Sequence, residues 1–170
     1  MIPSVKLTAA GAALLAKVPA GSGAPVTRWQ IGTGVLPAGT DLTARTALAE
    51  PLKDLPIARV TNSGSQSLVL GQFVNTGMDA FVWEELGLLA QDPDEGEILM
   101  GYGCAFGAGE TIQAGEDQLR EIVFGCQLIF SGETAVTAEI DRTLVFATLK
   151  DLENYYTKGE TLSPETRVLL

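Results

Sequence analysis

The sequence predicts an α+β fold: a predominantly antiparallel β domain with an N-terminal amphipathic helix and a short C-terminal helix. Three observations carry that expectation. Short runs of apolar–polar alternation recur through the middle of the chain. They follow one another at hairpin distances, leaving too little chain for the crossovers that parallel strands need. Helical spacing is confined to the two ends.

The first element is "LTAAGAALLAKV", with Leu7, Ala10, Leu14, Leu15 and Val18 at helical spacing. Ser4 is its candidate N-cap and Pro19 its stop. After the loop "PAGSGAP", the run "VTRWQIGTG" sets Val26, Arg28 and Gln30 against Thr27, Trp29 and Ile31, a half-buried strand ending at glycines. "VLPAGTDLTARTALAEPL" holds a short helical turn capped by Asp41 or Thr43 and closed by Pro51. "LPIARVTNSG" and "QSLVLGQFVNTG" read as two strands joined by a turn at Asn62 to Gly64.

"FVWEELGLLAQ" reads as one strand, with Gly87 marking a bulge or a close approach. "DPDEG" is a turn, "EILMGYGCAFG" the returning strand, and "AGETIQAGEDQ" a glycine-rich polar loop. "LREIVFGCQLIF" and "TAVTAEIDRTLVF" are two further strands, with a tight hairpin signal at Ser131 and Gly132. "ATLKDLENYYTKGE" closes the order with helical spacing through Leu149, Leu152 and Tyr155/Tyr156.

A chain of 170 residues is expected to form one domain with a core that needs no disulfide or metal. Its 46% hydrophobic content argues against general disorder. A formal charge of −10, with basic residues spread along the chain, disfavours nucleic acid and anionic membranes as partners. The apolar part of the N-terminus is interrupted by Gly11 and Lys17, so a globular helix is expected rather than a signal peptide. No run approaches the roughly eighteen residues of a membrane span. The expectation is a soluble protein made in the cytoplasm. Cys104 and Cys126 each sit in a strand-like run and read as buried thiols, with a cross-strand disulfide as the alternative.

The sequence has no histidine, which removes the Ser-His-Asp and Cys-His arrangements. Carboxylate pairs remain: Glu84/Glu85, Asp92/Asp94/Glu95/Glu97 and Glu116/Asp117. Glu84 and Glu85 are neighbours on a strand and point to opposite faces, so they cannot converge on one bond. The other two groups sit in turns beside glycine, where solvated carboxylates of ordinary pKa are expected. Asp92, Asp94 and Glu97 offer closely spaced oxygens for calcium but lack the twelve-residue EF-hand loop. "IGTGVLPAG" presents Gly32, Gly34 and Gly39 without the spacing or lysine of a phosphate loop, and reads as a structural turn. Trp29, Trp83, Tyr102, Tyr155 and Tyr156 are candidate sugar-stacking residues, weighed against core packing. No catalytic, metal or cofactor site is expected.

In order, "KLTAAGAALLAKV", "VTRWQIGTG", "LTARTALAEPLKDLPIARV" and "FVWEELGLLAQDPDEGEILMGYG" resemble the N-terminal domain of phage tail-collar fibre proteins. That family opens with an "LT..G...LA" helix and a strand ending in "G.G". It continues with a short helix before a strand, then a hairpin in which an acidic "E.G" segment leads through an acidic turn to a "YG" return. Here the hairpin counterparts are Glu85 to Leu89, Asp92 to Gly96 and Leu99 to Gly103. The resemblance covers about residues 5–148.

The resemblance implies an attachment domain over 1–148 and a C-terminal segment over 149–170 that assembles or connects the fibre. It implies a non-enzymatic structural protein of the virion, in the tail or baseplate of a contractile-tailed bacteriophage or related particle. Such a protein is assembled in the bacterial host cytoplasm and serves host attachment. The implied partners are its own copies, as a homotrimer, together with baseplate proteins and a separate tail fibre protein. Leu149, Leu152, Tyr155 and Tyr156 are the candidate assembly stripe, weighed against a helix that packs on its own domain. Family members usually continue into a shaft and tip where this chain reaches Leu170, which implies a short adaptor or a short fibre. The alternatives are a β module that binds host-surface glycans and a hydrolase built on paired carboxylates.

Overall fold

The computed structural model describes residues 5–19, 23–63 and 66–129. In these residues the alternating runs become nine strands: β1 (Lys6–Leu7), β2 (Val26–Gly32), β3 (Pro51–Ser63), β4 (Gln66–Val74), β5 (Phe81–Trp83), β6 (Glu85–Asp92), β7 (Gly96–Cys104), β8 (Glu110–Ile112) and β9 (Glu121–Ile129). One α-helix, α1 (Ala9–Lys17), and one 3-10 turn (Leu42–Ala44) complete the described elements. Seven strands form a sheet in the order β1-β7-β6-β2-β3-β4-β9, and β5 pairs with β8 in a second sheet. Each of these pairings is antiparallel. The fold is therefore β-rich and antiparallel with one helix among the described residues.

The large sheet curls because β3 serves two partners. Its first part, to Pro56, pairs with β2, while Ile57 to Ser63 pairs with β4, with a register shift between Ile57 and Arg59. In a flat sheet, β2 and β9 would lie roughly 14 Å apart. Yet the rings of Trp29 on β2 and Phe124 on β9 meet edge to face at 5.1 Å. Gly71 on β4 allows this closure, since a Cβ there would lie 2.5 Å from Phe124 and 2.8 Å from Trp29. The small sheet then caps the aromatic cluster, with Phe81 and Trp83 on Phe73, and Trp83 on Phe124.

Two apolar clusters flank the sheet. The larger joins α1, the curled sheet and β5 through Leu14, Trp29, Phe73, Trp83, Leu88 and Met100. The smaller lies on the opposite face of β6 and β7, where Leu42 and Leu48 cover Leu89, Leu99, Tyr102 and Cys104. Strand β6 is thus enclosed on both faces.

The helix is seated on an irregularity of β7. Leu88 pairs with Gly101 but Leu89 pairs with Leu99, which leaves Met100 as the extra residue of a bulge. The Thr8 amide donates to the Met100 carbonyl at 2.9 Å, and the Thr8 hydroxyl donates to the Leu99 carbonyl. Thr8 is also the N-cap, accepting from the Gly11 amide at 3.0 Å. The cap expected at Ser4 thus belongs to Thr8, and Leu7 lies in β1 rather than in the helix. Buried Gly11, Leu14 and Leu15 form the inner face.

Three other expectations are corrected. The run 81–91 is two strands in different sheets, broken at Glu84. Glu84 still bonds Gly32 and Ala105 beside the partners of β6, whereas Phe81–Trp83 pair with β8. The polar loop after β7 contains β8, which gives β5 its partner. Pro51 opens β3, at the end position where a missing N–H is tolerated, rather than only closing the preceding turn. The 3-10 turn is capped by Asp41, one of the two expected residues. The strand 134–146, the C-terminal helix and the hairpin at Ser131 and Gly132 lie outside the described residues. No described helix is long and apolar enough to cross a membrane.

Candidate functional site

The hairpin of β6 and β7 concentrates the carboxylates singled out in the sequence. Glu85, the first residue of β6, is fully buried on the face of the smaller cluster. Its side chain accepts from three backbone amides: Gly34 at 2.9 Å, Ala49 at 2.7 Å and Glu50 at 2.9 Å. The Tyr102 hydroxyl is a fourth donor. A carboxylate has about four lone-pair sites, so this one is saturated. Charge-assisted bonds of this kind offset much of the cost of burying the anion. Burial, and then the bond to Glu85, push the Tyr102 hydroxyl well above its ordinary pKa. The Arg45 guanidinium lies 5.7 Å from the centre of the Tyr102 ring, adding a cation above the same group.

Glu84 is buried as well but serves another segment. It accepts from the amides of Gly107 and Gly109, both at 3.0 Å. The turn it holds is unusual, with Phe106 at φ 54° and Gly107 at φ 86°. The Phe106 amide donates to the Cys104 sulfur at 3.3 Å. Adjacent glutamates therefore organise two different loops, consistent with the opposite-face geometry expected of strand neighbours. Their oxygens are engaged by structural donors rather than facing each other.

The acidic turn differs from its expectation. Asp92 does not solvate the turn: it is buried and accepts from Lys17 Nζ at 2.9 and 3.0 Å. It also accepts from the amides of Asp94 at 2.8 Å and Glu95 at 3.3 Å. These amide bonds, and then Lys17, hold its pKa below the ordinary aspartate value. Lys17 reaches Asp94 at 2.8 Å too, and the pair of aspartates raises its pKa. The last turn of α1 is thereby tied to the tip of the hairpin. Glu97 is paired with Arg28 at 2.7 Å and with the Thr27 hydroxyl at 2.7 Å, which lowers its pKa to about 2. Arg28 also bridges Asp54 on β3. Glu95, Glu116 and Asp117 are exposed in turns, as expected.

The oxygens of Asp92, Asp94 and Glu97 thus meet Lys17, Arg28 and Thr27. Among the described residues no group of three His, Cys, Asp or Glu is placed to hold a metal ion. The glycine-rich "IGTG" turn does hold an anion, but that anion is the chain's own Glu85, bonded by Gly34. Gly39 is a left-handed turn residue at φ 84°. Of the candidate sugar-stacking residues, Trp29, Trp83 and Tyr102 are buried, which removes them from any surface platform. Tyr155 and Tyr156 lie outside the described residues, together with Leu149 and Leu152. Cys104 and Cys126 are free, buried thiols in different clusters rather than disulfide partners. Burial pushes the Cys126 thiol up to about 12.

Sequence reasoning missed Glu84 and Glu85 as acceptors that shape the fold. A signal was present: two carboxylates inside "FVWEELGLLA" have no turn residue beside them. Acids in an enclosed strand must collect donors from elsewhere in the chain. Compared with family models, curated proteins and solved structures, the chain has no match in any of the three.

Proposed function

We propose that the chain is a structural component of a phage tail or baseplate, an attachment or adaptor piece that links fibres to the baseplate. It performs no catalysis and takes no cofactor in this role. The observation that carries the proposal is the build of the β6–β7 hairpin, the segment on which the resemblance to tail-collar fibre proteins is most specific. Its acidic residue Glu85 and its tyrosine Tyr102 join in the interior and fasten the neighbouring loop. Its turn acid Asp92 fastens the helix that opens the resemblance. The signature residues thus serve rigidity and shape, which suits a load-carrying part. The chain self-associates as a homotrimer, with Leu149, Leu152, Tyr155 and Tyr156 as the assembly stripe, and docks on baseplate proteins.

Light scattering of the purified full chain across a dilution series tests this. The expected native mass is three times the 17.9 kDa chain, and Leu152→Asp with Tyr155→Asp lowers it. A monomer at every concentration, together with measurable affinity for host glycans, overturns the proposal in favour of a binding module.

A further inference from the structure

Between β2 and β3 the chain runs from 33 to 50 across the outer face of β6 and β7. Its only regular element is the 3-10 turn at Leu42–Ala44. Both of its ends converge on one side chain. Gly34 at the start, and Ala49 and Glu50 at the finish, donate to Glu85. The Thr33 amide closes the same neck on the Glu50 carbonyl at 3.0 Å. Inside the neck, the backbone bonds of Thr40 to Pro37 and of Arg45 to Leu42 stay within the segment. What holds its middle down is mainly apolar: Leu42 and Leu48 rest on Leu89, Leu99, Tyr102 and Cys104, and the Arg45 guanidinium lies over the Tyr102 ring.

We propose that residues 33–50 form a strap latched by Glu85, which opens as a unit while the main core stays folded. Apart from the bonds to Glu85 and the approach of the 3-10 turn to β1, the contacts it would break are those of the smaller cluster. The larger cluster, including Trp29, Phe73 and Cys126, lies on the far side of the sheet. Segments with few main-chain bonds to the body and a small apolar footprint are those that open locally below the global unfolding free energy. Opening uncovers the apolar face of Leu89, Leu99 and Tyr102, a surface hidden at rest. This inference does not depend on the proposed role in a tail.

The two cysteines report on it. Cys104 is buried beneath the strap and Cys126 within the main core. The full-length protein is exposed to an aromatic disulfide reagent over a urea series below the unfolding transition. Labelling of each cysteine is followed by peptide mass. Cys104 is expected to label faster than Cys126, with a rate that depends only weakly on urea. Glu85→Gln keeps one acceptor oxygen and is expected to speed Cys104 labelling roughly tenfold, leaving Cys126 unchanged. Leu42→Ala removes part of the apolar footprint without touching the latch and should act in the same direction. Equal labelling of both cysteines, with the urea dependence of global unfolding, overturns the proposal. Because the wild-type urea dependence decides this by itself, a failure of Glu85→Gln to fold leaves the test intact.

Discussion

Helix propensity alone favours replacing Gly11 by alanine, by about 1 kcal/mol. The seating of α1 reverses the sign. A methyl group at Gly11 would lie 2.1 Å from the Met100 carbonyl oxygen and 2.9 Å from its carbon. Carbon approaches a carbonyl oxygen to roughly 3.3 Å, so the helix must withdraw by about 1 Å. Withdrawal stretches the bonds from the Thr8 amide and hydroxyl to Met100 and Leu99, each worth about 1 kcal/mol. It also loosens Leu14 and Leu15, and overpacking of this kind typically costs about 1–3 kcal/mol. Set against the gain in propensity, Gly11→Ala should destabilise the protein by about 2–4 kcal/mol. Urea denaturation read by tryptophan fluorescence measures it, since Trp29 and Trp83 are buried. Ala13→Gly, on the exposed side of the same helix, is the control and should lose about 1 kcal/mol. A Gly11→Ala protein as stable as the parent would refute the close approach of α1 to the bulge.

Glu84→Ala strands the amides of Gly107 and Gly109 and should cost about 2 kcal/mol in the same denaturation assay. A loss within about 0.5 kcal/mol, the range of an ordinary surface change, would mean that the 107–109 turn does not need its acceptor. Glu97 has a folded pKa of about 2 against an ordinary 4.5, so its stabilising effect is complete above pH 4.5 and fades as pH falls toward 2. The pair with Arg28 is partly exposed and screened, so the loss should stay below about 1 kcal/mol. Glu97→Gln should flatten the stability profile in that window, and an unchanged slope would assign the acid sensitivity to other carboxylates.

Much of the strand content was legible because half-buried strands alternate. Trp29 and Ile31 on β2 are buried with the less buried Gln30 between them, and β4, β7 and β9 fall on their expected runs. The break at Glu84 was not legible, since alternation carries on from Phe81 to Leu86 and only the pairing of β5 with β8 takes 81–83 into another sheet. Strand β8 is three residues among glycines and alanines, too short to show a period. Sheet order was also beyond a local pattern: β2 pairs with β6 and β4 with β9, over separations that no hairpin signal marks. The carboxylates were visible as residues but not as acceptors. Asp92 looks like any solvated turn residue until Lys17 is placed beside it, and the need of Glu85 for donors does not say which three loop amides supply them.

The seat of α1 also sets a timetable for synthesis. Thr8, which caps the helix, is made more than ninety positions before its docking groups Leu99 and Met100. Translation at roughly 5–20 residues per second leaves Leu14 and Leu15 without their partner surface for about 5–20 s. An isolated helix of nine residues is marginal in water over that interval. The nascent helix segment should therefore remain sticky and largely unstructured, a natural client for ribosome-associated chaperones. It should collapse into place only when the β6–β7 hairpin has cleared the exit tunnel.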